Sequence, residues 1–515
     1  MTWGIVFGTF LPARNDEPPQ VGTPLLGLEL RQIDDRRAEK MDDQVRHGGH
    51  SDYTCARGLL VIDFESRPKP RLGLMALRCI IQAMSTSRDL LGKARELLAS
   101  AQTKIDRLSS IEPYLIDLSL RENVFGSRVG QTLQDKLSIL PKLRDFGFKN
   151  ILLGTLDYAM PEELEVDDDF MMYLRDHRMD MTGGFAFTDI GIADAQGKYT
   201  PSPSQLKLQA YGVPNTLHEI YLSKEGMAGL YDLATLRRSL PLSIQWLVEN
   251  VRGEGGGKPR IVINIVDGCD AFAENLDVAC EILSLLAQQP IEGISIEDDR
   301  GTYMPFQVGA FVAIARSFLP PPLKLLVHMH SGAGFENASL IEALLQGADG
   351  VWGGLPKRAA IIGHASLGEL IANLVRVGNT HMQAYRLDRL LPLATELQVV
   401  DEEAPVPDDL PILGANAYRL TLDFFRQTRA RFMDLPPEAI GGKYGYRICA
   451  VAADPPVVAG RLAEVTGRPS DAFPAEVLVQ MVRLMRRDLR GGQRIDYDKP
   501  EQLLQLYARA GGGGS

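Results

Sequence analysis

Cysteine is scarce in this chain. Its five residues (Cys55, Cys79, Cys269, Cys280 and Cys449) are odd in number, scattered, and contain no C-x-x-C pair. That argues against a disulfide framework and a thiolate zinc site, and it leads us to expect a reducing, cytoplasmic setting. Long apolar runs are missing as well: none reaches the ~18 residues that a bilayer span requires. Basic charge does not dominate. The net charge is -11, and no basic cluster or stacking-aromatic motif opposes it, so neither nucleic acid nor membrane is expected as a partner. The opening "MTWGIVFGTFLPARNDEPP" is apolar but has no basic n-region or small-residue cleavage site, so it is not expected to act as a signal peptide. The closing "GGGGS" (511–515) reads as an expression linker and is set aside.

What is present is an ordinary globular composition, 45% apolar and 23% charged over 515 residues. That length exceeds a single core and implies one large domain with appendages, or roughly two to four units. A beat runs through the middle. Apolar, β-rich runs recur at "YLIDLSL" (114–120), "NILLGT" (150–155), "MTGGFAFT" (181–188), "RIVINIV" (260–266), "GISIED" (293–298), "LKLLVHMH" (323–330) and "DGVWGG" (349–354), with another at "VPNTLHEIYL" (213–222). Helical stretches such as "QTLQDKLSILPKLRDFG" separate them. Strand, helix, strand implies a parallel sheet with helical crossovers, and continuous apolar strands imply burial on both faces. Eight such units fit an α/β fold, the (β/α)8 TIM barrel, over residues 113–378.

Such barrels gather their chemistry at the C-terminal ends of the strands. His328 and His330 lie two residues apart at one such end and project from one face, an arrangement that suits a divalent cation taking neutral nitrogen ligands. "DLSLREN" closes the first strand with Arg121 and Glu122, and the last strand is followed by a loop carrying His364. Strands one, seven and eight are neighbours in a closed barrel, so Glu122, His328, His330 and His364 could converge on one mixed nitrogen and oxygen site. Zn, Mn and Mg all remain open for such a set.

Several of these stretches resemble one family. "LIDLSLREN" with "QDKLSILPKLRDFGFKNILLG", "GISIEDDRGTYMP", "HMHSGAGFENASLIEALLQGADG" and "GGLPKRAAIIGHASLGEL" are similar, in order, to the motifs of the metal-dependent barrel family of isopropylmalate synthase, homocitrate synthase and hydroxymethylglutaryl-CoA lyase. Lys136 stands fifteen residues after Arg121, where that family has a lysine. "LPILGANAYRLTLDFFRQTRARFMDLPPEAIGGKYGYRI" resembles the segment that follows the barrel in the synthases and is lacking in the lyase. The resemblance covers about residues 113–508.

Departures from the pattern are equally visible. Glu122 stands where the family has a metal-binding Asp, Phe125 replaces the glutamine of the opening motif, and His364 falls on the asparagine of the glycine loop. Ser339 takes the place of another asparagine, and the lyase's loop cysteine is missing. The synthases' histidine pair after the barrel reads Leu420 and Phe425, so Phe424, Phe425 and Phe125 are expected to line an apolar pocket instead.

The resemblance implies a divalent metal ion, an acyl-CoA co-substrate and a Claisen-type condensation with a 2-oxo acid, with Arg121 stabilising the oxyanion. The alternatives are a lyase or aldolase acting on a hydroxy acid, or a barrel that has lost catalysis and binds as a scaffold. His218, similar to the histidine of the synthases' S-x-I-H segment, is the expected general base, with Asp267, Asp270, Asp298 and Asp299 as other candidates whose structural role would be helix capping. A homodimer is implied, with residues 412–447 reaching the partner. Outside the barrel we expect an N-terminal extension (1–112) with the amphipathic stretches "RLGLMALRCIIQAM" and "RDLLGKARELLASAQTKIDRL", a linker subdomain (379–447) and a C-terminal helical subdomain (448–510). "HGGH" (47–50) is a possible metal pair or a turn.

Overall fold

The fold was taken from a computed structural model, which describes residues 3–6, 30–32, 59–60, 70–121, 128–156, 164–356, 362–425 and 435–513, with side chains from 89 onward. Glu122, Phe125 and the "HGGH" stretch lie outside the described residues. The chain divides into two compact units, 1–99 and 100–515.

In the first unit, Trp3–Val6 pairs antiparallel with Leu30–Gln32 and with Leu59–Leu60. The two amphipathic stretches expected as separate helices form one helix, Pro70–Ser110. The "STS" at 85–87 between them carries neither Gly nor Pro to break it.

The second unit is built on eight parallel strands: β1 (Tyr114–Asp117), β2 (Asn150–Thr155), β3 (Gly184–Asp189), β4 (Asn215–Ile220), β5 (Arg260–Ile265), β6 (Gly293–Asp298), β7 (Lys324–Met329) and β8 (Gly350–Gly353). Each pairs with the next and β8 returns to β1, closing the barrel. Closure at that seam requires glycine, since a Cβ on Gly350 would stand 1.9 Å from the Tyr114 carbonyl oxygen. Period two sorts the strands' side chains. On β5, Ile261, Ile263 and Ile265 pack outward among the helices, whereas Val262 joins Ile116, Leu118, Leu152, Phe185, Phe187, Leu217, Leu326 and Trp352 inside the barrel.

The helices start where the sequence supplies caps. Thr132 accepts from the Asp135 amide (3.2 Å), while Asp135 accepts from the Thr132 amide (2.8 Å), a reciprocal box opening the helix Leu133–Phe146. Beyond the barrel, the helices Pro455–Thr466, Ala475–Arg490 and Pro500–Arg509 bury a core of their own with Leu420 and Ile448. The helix Leu390–Glu402 instead packs on the barrel and grips the loop after β1. The Gln131 amide donates to Asp401 (2.9 Å) and to the Ser119 carbonyl (2.8 Å), and the Arg128 amide donates to Glu402 (3.1 Å).

A buried ion pair locks the same loop from the other side. Lys136 Nζ lies 2.8 Å from Asp167 Oδ1, both side chains wholly shielded from solvent. Lys136 also donates to the Leu120 carbonyl, and Asp167 accepts from the Thr155 amide (2.8 Å). The pair therefore ties the end of β1 to the end of β2. Removing one partner strands the other as an uncompensated buried charge, which costs about 3–5 kcal/mol. Lys136→Ala should lower unfolding stability by that order in urea denaturation, and a variant as stable as the parent would show the pair to be idle.

Candidate metal centre at the mouth of the barrel

Alternation on β7 turns Leu326 and His328 into the barrel, and His330 follows on the same side at the strand's end. His328 stacks face to face on the Trp352 indole of β8 (centroids 3.5 Å apart, planes 7° apart). Its Nδ1–H donates to the Trp352 carbonyl oxygen (2.8 Å). That bond fixes the tautomer and leaves the Nε2 lone pair bare, a buried atom with no hydrogen-bond partner among the described residues. His330 does the converse: its Nε2–H donates to Glu297 Oε1 (3.0 Å), and Nδ1 is left buried and without a partner.

His364 comes from the loop after β8. That loop runs antiparallel to the end of β7, with the Ala365 amide donating to Met329 O (2.9 Å) and the Ser331 amide to Gly363 O (2.9 Å). The zipper sets the His364 ring edge-on at 4.3 Å from both other imidazoles. One ligand atom from each of the three histidines lies within 4.8 Å of the others. Burial pushes His328 down to about 3 and His364 well below the usual range, so both rings are neutral at physiological pH. Imidazole nitrogens converging on one point are the donor set a divalent transition ion needs. The residues present fit such an ion.

Glu297 was missed by the sequence reading. It sits on the inward face of β6, two residues beyond Ser295, whose hydroxyl accepts from Trp352 Nε1 (2.7 Å). Burial works against its charge, but the imidazoles of His328 and His330 and the Asn264 amide outweigh it and hold the carboxyl below the usual range. Period-two counting from Ser295 would have found it.

Arg121 is buried just past β1. Its Nε donates to Thr155 Oγ1 (3.3 Å), and its guanidinium lies 4.8 Å over the Phe187 ring inside the barrel. Its charge contributes to holding His328 and His364 neutral, which places it within reach of the histidine cluster.

His218 does not join this group. Leu217 faces the interior, so His218 points outward between the strand and the helix Leu233–Asn250. Its Nδ1 pairs with Thr188 Oγ1 (2.8 Å) and its Nε2 with Ser243 Oγ (2.9 Å). Wholly buried, with both nitrogens occupied and its pKa pushed by burial down to about 3, it is a satisfied core histidine and not a base facing the mouth. Period two brings its neighbour Glu219 inside instead.

The aspartates are structural by their bonds. Asp267 accepts from the Leu222 and Ser223 amides (2.8 Å each), and Asp298 accepts from Gly301 and Tyr303 amides (2.8 and 3.0 Å). Asp270 pairs with Arg300 and with Tyr303 Oη (2.7 Å). Asp299 is half-buried, and burial together with Glu297 and Asp270 raises it to about 6. Of the residues standing for the synthases' histidine pair, Leu420 is sealed in the C-terminal core. Phe424 and Phe425 are 61% and 40% exposed, so neither is enclosed in the expected apolar pocket.

Over 189 residues the chain is 28% identical to 2-isopropylmalate synthase of Heliobacterium modesticaldum (33% of this chain, 35% of that protein). Over 306 residues it is 20% identical to (R)-citramalate synthase of Aquifex aeolicus (59% and 55%). The matched stretches thus span about a third and about half of those relatives' lengths. The chain is similar in part to these two synthases. Among solved structures it is similar to the HMG-CoA lyase of Brucella melitensis, at 13% identity and a TM-score of 0.45, over 57% of this chain and 99% of that one. No protein-family model matches.

A metal at the three histidines can be tested separately from the fold. His330→Ala should lose divalent metal in equilibrium dialysis followed by elemental analysis. Glu297→Gln should weaken affinity about 10–100-fold, as loss of an outer hydrogen bond to a ligand does. His218→Ala should keep full metal while losing stability. Full occupancy in His330→Ala would remove the site.

Proposed function

We propose that this protein is a divalent-metal-dependent enzyme of carbon–carbon bond formation, condensing an acyl-CoA with a 2-oxo acid. One observation carries the reading: three imidazoles converge beside a buried arginine at the C-terminal mouth of the barrel. His328, His330 and His364 would hold the ion, with Glu122 as the expected oxygen ligand. The ion would supply Lewis acidity to a keto acid's carbonyl and a charge for its carboxylate. The relatives' names, 2-isopropylmalate synthase and (R)-citramalate synthase, support the same reaction class.

The chain's own residues supply the rest. Arg121, held by Thr155 and by the Phe187 face, presents a fixed positive charge where negative charge grows on oxygen as a carbon nucleophile adds. Its burial means that little reorganisation is needed during the reaction. Glu297 fixes the orientation of His330, and the Trp352 carbonyl fixes that of His328.

Screening pairs of acyl-CoA and 2-oxo acid for free thiol release tests the reaction. At least one pair should be turned over, and Arg121→Ala should lower kcat about 10²–10³-fold, the cost of removing one oxyanion donor. No thiol release from any pair, with metal bound, would end the condensation reading. The homodimer belongs to the same proposal, carried by residues 412–447 with their resemblance to the synthase segment. Light scattering at micromolar concentration should give twice the chain mass, and a monomer would oppose it.

A further inference from the structure

The mouth of the barrel contains a titratable group that the metal reading does not use. Glu219 lies at the end of β4, two residues beyond the inward Leu217, and in register with Asp189 of β3 and Asn264 of β5. Its side chain therefore enters the barrel, where it is 7% exposed. It is not among the groups whose ligand atoms converge on the histidine cluster. Its surroundings are polar and specific. Asp189 faces it from β3, Glu297 from β6 and Arg121 from the loop after β1, and the Asn264 amide is within bonding reach from β5.

Asn264 links this carboxyl to the metal centre. Its Nδ2 donates to Glu297 Oε2 (2.8 Å), and Glu297 Oε1 accepts from His330 (3.0 Å). Asn264 is wholly buried, and its Oδ1 has no hydrogen-bond partner among the described residues. Its NH2 group has two hydrogens, and besides Glu297 it favours the ionised form of Glu219, so the amide bridges the two carboxyls and joins Glu219 through Glu297 to His330.

We propose that Glu219 is the group that exchanges a proton with the carbon acid, in place of the histidine pair that the segment after the barrel lacks. This rests on the condensation reading above. Ionised Glu219 takes a proton from the carbon beside the thioester carbonyl; the C–H bond breaks, its electron pair enters the enolate, and an O–H bond forms on Glu219. The enolate carbon then bonds to the keto carbon of the 2-oxo acid, and the carbonyl electron pair moves onto oxygen facing Arg121. Glu219 returns its proton to that oxygen, so the carboxyl ends as it began; water then adds to the thioester carbonyl and the C–S bond breaks, which releases the free thiol and the product acid. Burial, with Asp189 and Glu297 adding to it and Arg121 and Asn264 opposing, raises Glu219 to about 8, in the range where a carboxyl both takes and gives a proton near neutral pH.

Deuterium uptake from solvent into the acyl group of the acyl-CoA that the wild type turns over isolates the first step. Glu219→Gln should lower both exchange and kcat about 10²–10⁴-fold, with metal content and melting temperature unchanged, and Glu219→Asp should recover part of both. The wild-type exchange rate should rise with pH to a plateau above about 8, and Glu219→Gln should lose that limb. Infrared spectroscopy should show a protonated-carboxyl band in the wild type that fades over the same pH range and is absent from Glu219→Gln. This readout needs no activity. Wild-type-like exchange in Glu219→Gln, or no such band, overturns the inference while leaving the condensation reading standing. A wild type that neither exchanges acyl protons nor releases thiol overturns both.

Discussion

Everything at the mouth of this barrel depends on the seam between β8 and β1. Arg121 precedes His328 by about two hundred residues, and only closure makes the first strand a neighbour of the eighth. That closure rests on backbone contact so tight that Gly350 admits no Cβ against Tyr114, and a Cβ on Gly353 would stand 2.6 Å from the Ala365 carbonyl. The second close approach matters as much as the first, because it lets the loop after β8 fold back over the strand ends. From there it zips onto β7 and delivers His364 to the pair already present. An open sheet with the same residues would leave the arginine and the histidines at opposite edges.

The site is built from groups that water would otherwise satisfy. His328 and His330 each spend one nitrogen on a fixed acceptor and leave the other without a partner among the described residues, so the orientation of the lone pair arises from the same hydrogen bond. The arginine is held at one nitrogen by Thr155 and over the Phe187 ring. Around this centre, the Lys136 and Asp167 pair and the grip of Asp401 and Glu402 hold the loop after β1 from two sides. Such rigid support is what the proposed role of Arg121, positioned to a fraction of an ångström, demands.

Much of this was legible in the sequence. The eight apolar runs are the eight strands, because a strand buried on both faces has no polar phase to obscure it. The three histidines and Arg121 were visible because chain order places them at strand ends. What failed was parity. In "NTLHEI" a histidine and a glutamate are adjacent, and only the phase set by Leu217 decides which of them enters the barrel. An all-apolar strand gives no alternation from which to read that phase. Glu297 and Asn264 were missed for the same reason, each lying on an inward face that the neighbouring isoleucines do not mark. Asp167 was missed because its partner, Lys136, is far enough away in sequence that only packing reveals the pair. The two amphipathic stretches form the single helix Pro70–Ser110, because the "STS" between them carries no residue that breaks a helix.

The loss of the synthases' histidine pair then takes on a physical meaning. Leu420 is not a vacant catalytic position but part of a core formed with three C-terminal helices, and a polar ring there would have to be desolvated among aliphatic neighbours. Position 420 is thus committed to packing, and under the proposed condensation the demand for proton transfer moves to the barrel interior. That interior has the means to meet it. A carboxyl placed among two other carboxylates, one arginine and an amide is poised by competition between burial and charge, without an imidazole. Because the same amide touches the carboxylate that orients His330, a change of proton at Glu219 would be felt as a change of hydrogen bonding at this proposed metal ligand. Coupling of that kind ties the readiness of the carbon acid to the state of the centre that receives it.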